Sequence, residues 1–172
     1  MPNKMEEVVS KVAGKAKRAG AAMGGLDGVF RTIVEQHGEA LALLQRCKAA
    51  NEAGKRRELW KTVRSELLSH EKAELREVYP ELAKHAETRE IVAQHEREAN
   101  ELEEMIHKVD GTPVGTDTWH ERIVELTAMV KQHADEEQND FLPRAQAILG
   151  SDRAEALDRP FRQAKERLMN GS

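Results

Sequence analysis

Apolar residues recur every three or four positions through the middle of the chain, the period of a helix packed along one face. From Leu26 to Ala50 the stripe is Phe30, Ile33, Leu41 and Leu44. From Arg56 to Val78 it is Trp60, Val63 and Leu67, and from about Glu87 to Val109 it is Val92, Leu102 and Ile106. From Thr118 to Asp140 it is Trp119, Ile123, Leu126 and Val130. The breaks are NEAGK at 51–55, Pro80, and the turn-rich DGTPVGTD at 110–117, which also offers a helix N-cap. Pro143 interrupts the fourth segment. Nothing alternates like a strand. Four long helices with short connections predict an all-α fold, an up-down-up-down four-helix bundle spanning 26–149. Residues 1–25, ending in GAAMGG, read as an N-terminal extension with at most a short helix. Residues 150–172 read as a short amphipathic helical tail broken by Pro160.

Each stripe is interrupted by polar residues where an aliphatic side chain is expected. In the second helix it continues to His70 and Glu74, and in the fourth to His133 and Glu137. The first helix places His37 ahead of Leu41, and the third places His95 ahead of Ala99 and Leu102. The second and fourth helices also repeat one another: SHEKAELREVYP (69–80) aligns with QHADEEQNDFLP (132–143). Both have a histidine, a glutamate four residues on, and a proline six residues after that. In an up-down bundle those two helices run parallel, so the motifs fall at one height along the axis.

Burying such groups without partners costs several kcal/mol each, roughly 2–7 for a neutral polar group. A metal centre removes that cost. Imidazole donates a lone pair, carboxylate balances the cation, and the i,i+4 spacing puts both on one helix face. Four histidines and two carboxylates exceed one tetrahedral zinc and match two metal ions bridged by carboxylates. This donor set suits non-haem iron best, ahead of manganese or zinc.

Composition narrows the alternatives. Aromatics are 3% and charged residues 34%, a balance suited to helices rather than a sandwich. The net charge of −4 argues against bulk nucleic-acid binding. Cys47 is the single cysteine, which excludes an internal disulfide and any zinc site built on several thiolates. No run reaches the ~18 apolar residues of a membrane span, and no signal-peptide core precedes the bundle. The expectation is a soluble, cytoplasmic chain with no nucleic-acid or membrane partner. His85, His107 and His120 fall outside the ligand level, Glu71 reads as a surface carboxylate, and Trp60 and Trp119 as core. Tyr79 lies within reach of Glu74.

The combination of His37, His70-Glu-Lys-Ala-Glu74 with Tyr79-Pro80, His95, and His133-x3-Glu137 with Phe141-Leu142-Pro143 resembles the haemerythrin-like HHE cation-binding family, over about Leu26 to Leu149. The resemblance implies two non-haem iron ions, with Glu74 and Glu137 as bridging carboxylates and the histidines as terminal ligands. It implies binding or reduction of a small oxidant such as O2, peroxide or NO. The alternatives are an iron- or oxygen-sensing regulatory module, or iron storage and detoxification. Two positions depart from the family's oxygen carriers. Ala99 stands where they have a second third-helix histidine, and Glu137 follows His133 by four residues rather than five. Glu98 is the candidate substitute ligand beside Ala99.

Overall fold

A computed structural model describes residues 25–171. The N-terminal extension expected at 1–25 lies, apart from its last residue, outside the described residues. These are all-helical: α1 (Gly28–Ala49), α2 (Ala53–Glu77), a single turn α3 (Tyr79–Leu82), α4 (Ala86–Asp110), α5 (Asp117–Glu136) and α6 (Leu142–Asn170). A π-helical turn, Glu137–Phe141, joins α5 to α6. The anticipated cap in the 110–117 loop forms, with the Thr116 side chain accepting from the Trp119 amide at 3.2 Å.

Pro80 and Pro143 act differently. A proline ring presses on the carbonyl four residues back and cannot donate to the helix ladder. At Pro80 the chain responds by ending α2 at Glu77 and starting α3. At Pro143 the carbonyl four back belongs to Asn139, inside the π turn, where the wider winding takes up the clash. Pro143 therefore lies in the first turn of α6, and the helical course continues through it. The tail is not broken at Pro160 either; that residue lies within α6, whose one non-helical residue is Gly150 at φ 76°, ψ 165°.

The second half of α6 is core. Leu157, Phe161 and Ala164 are buried together with Phe30, Ile33, Tyr79, Leu82 and Phe141. Asp158 and Arg162 both engage the Thr32 hydroxyl of α1. Lys165 Nζ reaches Glu66 Oε2 on α2 at 2.6 Å. A second apolar cluster holds Leu44, Trp60, Val63, Leu67, Leu102, Ile106, Trp119, Ile123, Leu126 and Val130. Both tryptophans lie there, as the stripes require. Along every long stripe the buried histidines fall where one cluster gives way to the other. The candidate chemistry thus sits in a polar band between two apolar cores.

Candidate metal centre

Four helices and the π turn deliver the six expected side chains to that band. His37 comes from α1, His70 and Glu74 from α2, His95 from α4, His133 from α5, and Glu137 from the first position of the π turn. All are buried, Glu74 and Glu137 completely. His37 Nε2 lies 3.3 Å from Glu137 Oε2, His70 Nε2 3.0 Å from Glu74 Oε1, and His133 Nε2 3.7 Å from Glu137 Oε2. His95 Nδ1 is 3.8 Å from Glu137 Oε1. Sets of three donors fall within 4.8 Å of one another: His37, His70 and Glu74; His37, His133 and Glu137; His95, Glu98 and His133; Glu71, Glu74 and His133.

These short separations are not hydrogen bonds. His37 Nε2, His70 Nε2, His95 Nδ1, His133 Nε2, both Glu74 oxygens and Glu137 Oε2 are buried with no hydrogen-bond partner. Such orphaned groups are rare in folded proteins, and here they are concentrated in one place. Donor atoms that crowd together without hydrogen-bond geometry are directed at shared points between them, as ligands around a cation are. The outer ring nitrogens are held. His70 Nδ1 lies 2.9 Å from Gln36 Oε1, and because an amide oxygen only accepts, Nδ1 carries the proton and Nε2 keeps its lone pair. His133 Nδ1 makes the same kind of contact with Glu98 Oε2 at 3.3 Å. His37 Nδ1 is 3.4 Å from the Gln138 amide nitrogen.

The electrostatics show the cost of this crowding without a cation. Burial, then the neighbouring Glu137 charge, pushes Glu74 up to about 8. Burial pushes His70 down to about 4. Burial also opposes the charge on Glu137, but His133 and the contact from His37 outweigh it and hold that carboxyl far below the usual range. His133 is the counterpart: burial disfavours its charge, yet Glu137, Glu71 and Glu98 raise it well above an ordinary histidine. One carboxylate of the pair stays ionised and the other takes a proton. A divalent cation between them would favour ionisation of both.

A family model described as Hemerythrin HHE cation binding domain matches residues 29–145. The chain belongs to this haemerythrin family. The match spans every candidate ligand from His37 to Glu137 and stops before Gly150. No curated protein and no solved structure matches the chain.

Within this haemerythrin domain Glu71 and Tyr79 have places that the sequence reading did not give them. Glu71, expected at the surface, is buried with Oε1 3.5 Å from His133 Nε2 and Oε2 without a partner. A signal was present: Leu67, Glu71 and Glu74 follow the same four-three rhythm as the stripe itself. Glu98 turns inward at the margin, with Oε2 3.1 Å from His95 Nδ1. Tyr79 reaches the glutamate of the other motif, donating to Glu137 Oε1 at 2.9 Å rather than to Glu74. Ala99 is buried and borders a cavity of about 10 Å³ shared with Glu71, Leu68 and Ile106. Where the family's carriers have a histidine, this domain has a methyl group flanked by two additional carboxylates. His107 is exposed, while His85 and His120 are half-buried and stand outside the donor sets.

Proposed function

We propose that the chain is a non-haem di-iron protein that binds or reduces a small oxidant, O2, peroxide or NO. His37, His70, His95 and His133 would hold the metal, with Glu74 and Glu137 shared between two ions. The observation that carries this reading is the set of buried, partnerless imidazole and carboxylate atoms converging from four helices. The up-down-up-down arrangement of α1, α2, α4 and α5 belongs to the same reading. It is supported by the short connections and by the packing of α1 on α2 and α5, and of α4 on α2 and α5. So does a cytoplasmic setting, in keeping with one buried thiol and no described helix long and apolar enough to cross a membrane.

Iron, when bound, supplies the electrons and the open coordination position for the oxidant. The protein supplies the rest. Gln36 and Glu98 fix the tautomers of His70 and His133 so that their Nε2 lone pairs face inward. Tyr79 holds Glu137 in place, its hydroxyl donating to Oε1 across an oxygen–oxygen distance of 2.9 Å. Phe141 stacks on His95 at 4.7 Å and Phe161 meets His70 edge-on at 5.9 Å, so aromatic walls limit water at both rings. Elemental analysis with an ultraviolet–visible spectrum of the aerobic protein tests the reading. About two irons per chain with ligand-to-metal absorption is expected; a single tightly held zinc that iron cannot join would overturn it.

One observation favours a second reading, a metal- or oxygen-sensing module. Phe161 lies on α6 beyond the family match, yet it touches His70. A change in ligand geometry would reach α6 directly. Turnover of hydrogen peroxide by the iron-loaded protein separates the two, since a sensor responds stoichiometrically and stops.

A further inference from the structure

Beside His133, between α2, α4 and α5, a cavity of about 180 Å³ opens toward solvent. Its polar lining is Glu71, Glu98, Glu101, Gln132, His133 and Glu136, with no lysine or arginine. The carboxylates are graded in depth. Glu101 is exposed, Glu136 and Glu98 are half-buried, and Glu71 is buried at 7% exposure. At the inner end two atoms are buried and without partners, Glu71 Oε2 and His133 Nε2. Leu102 and Met129 form an apolar wall that concentrates the field of the acids. A second cavity, between α1 and α6, sets Arg162 and Lys165 beside Gln36 and Glu166, so it lacks the uniformly acidic lining of the first.

We propose that the acidic cavity is the port through which divalent metal reaches the buried centre. Glu101 and Glu136 form the outer station, and Glu98 and Glu71 pass the ion to His133. This inference rests on the metal-binding reading above, and it concerns the route rather than the ligands. A cation leaving water must exchange hydration for oxygen ligands in steps, because a bare ion in a low-dielectric passage is prohibitively unstable. Carboxylates spaced from rim to base supply those steps. Glu101 and Glu136 belong to none of the donor sets of the centre, so removing their charge alters the approach without removing a ligand.

The test uses the full-length metal-free chain and Co(II), followed by its visible absorption in stopped flow. Glu101→Gln combined with Glu136→Gln is expected to slow loading roughly five- to tenfold at low ionic strength. The difference should shrink to less than about twofold in 0.5 M salt, where the Debye length is only a few ångströms. The final Co(II) stoichiometry should equal that of the unaltered chain. The control, Glu35→Gln with Glu39→Gln, removes the same net charge from the outward side of α1 and should load at the normal rate. Unchanged loading in the Glu101 and Glu136 variant, or equal slowing in the control, overturns the port. So does a lower final stoichiometry, which would make these residues ligands. Absence of Co(II) binding by the unaltered chain would instead bring down the metal-binding reading itself.

Discussion

Glu74 and Tyr79 occupy the same buried band, and their substitution should have different consequences. Neither Glu74 oxygen has a hydrogen-bond partner in the metal-free chain, so this carboxyl contributes little there except strain from crowding. Glu74→Gln keeps its shape and cannot ionise. The metal-free melting temperature is expected to stay within about 2 °C or to rise, because the buried carboxyl it replaces is without a hydrogen-bond partner and opposes folding. The stabilisation that metal gives to the unaltered chain should largely vanish. Scanning calorimetry with and without iron(II) under anaerobic conditions checks this, and equal loss in both states would make Glu74 a structural residue. Tyr79→Phe does the reverse. It removes a real hydrogen bond to an ionised carboxylate, so the metal-free chain should lose about 1–2 kcal/mol in urea unfolding. At the far end of the second core, burial pushes the Cys47 thiol up to about 11. The unfolded chain releases that proton near 9 while the folded chain keeps it, so stability is complete below pH 9 and falls as pH rises toward 11. Cys47→Ala should make this alkaline decline shallower by up to one proton's worth of slope, measured as urea midpoints from pH 8 to pH 11.

At the level of elements, the positions with the least side chain separate local propensity from packing. Gly28 opens α1 at φ 48°, and a Cβ there would meet the Ala154 carbonyl carbon and oxygen of α6 at 2.3 Å. Both obstacles are backbone, so Gly28→Ala should destabilise by more than about 2 kcal/mol. Gly38 lies within α1 with nothing inside 4 Å of its would-be Cβ. Gly38→Ala should therefore stabilise by about 0.5–1 kcal/mol through helix propensity alone; thermal unfolding of the pair reads both effects. The same contrast explains what could be read from the sequence. The stripes of α1, α2, α4 and α5 were legible because each helix buries one face along most of its length, and the histidines stood out as polar residues on that face. The last segment was legible only in part. The kink at Gly150 falls where the sequence pattern ends the bundle, but Pro160 does not break the tail, because packing on Thr32, Glu66 and His70 sustains the helix through it. The π turn was hidden as well. The sequence shows the same proline offset in both motifs, but only the available continuation decides whether the helix ends, as at Pro80, or widens, as at Pro143. Glu71 was legible in principle, since its charge obscured a position that the rhythm of Leu67 and Glu74 assigns to the inside.

Across the whole molecule, a polar band divides two apolar cores, and α6 extends from the π turn across the core nearer Phe30. The sequence pattern sets a domain boundary at Leu149, and the family match also stops short of Gly150. The packing argues that the folding unit runs further. Without residues 150–172, Phe30, Ile33 and Tyr79 would lose the covering of Ala154, Leu157, Phe161 and Ala164. Thr32 would lose Asp158 and Arg162, Glu66 would lose Lys165, and the His70 ring would lose its aromatic wall. A chain ending at Leu149 is therefore expected to unfold without a sharp cooperative transition when metal-free. Phe161→Ala in the full chain isolates the largest part of that loss. It should cost about 3–5 kcal/mol, the usual range for emptying a buried aromatic site, and it should also weaken metal retention because water gains access to His70. Chelator-driven metal release, timed in parallel with urea unfolding, separates these effects. If Phe161→Ala destabilises the fold but leaves the release rate unchanged, α6 supports the core without guarding the centre. If the truncated chain unfolds as sharply as the full one, the bundle ends at Leu149 and the part of α6 beyond Gly150 is an appended arm.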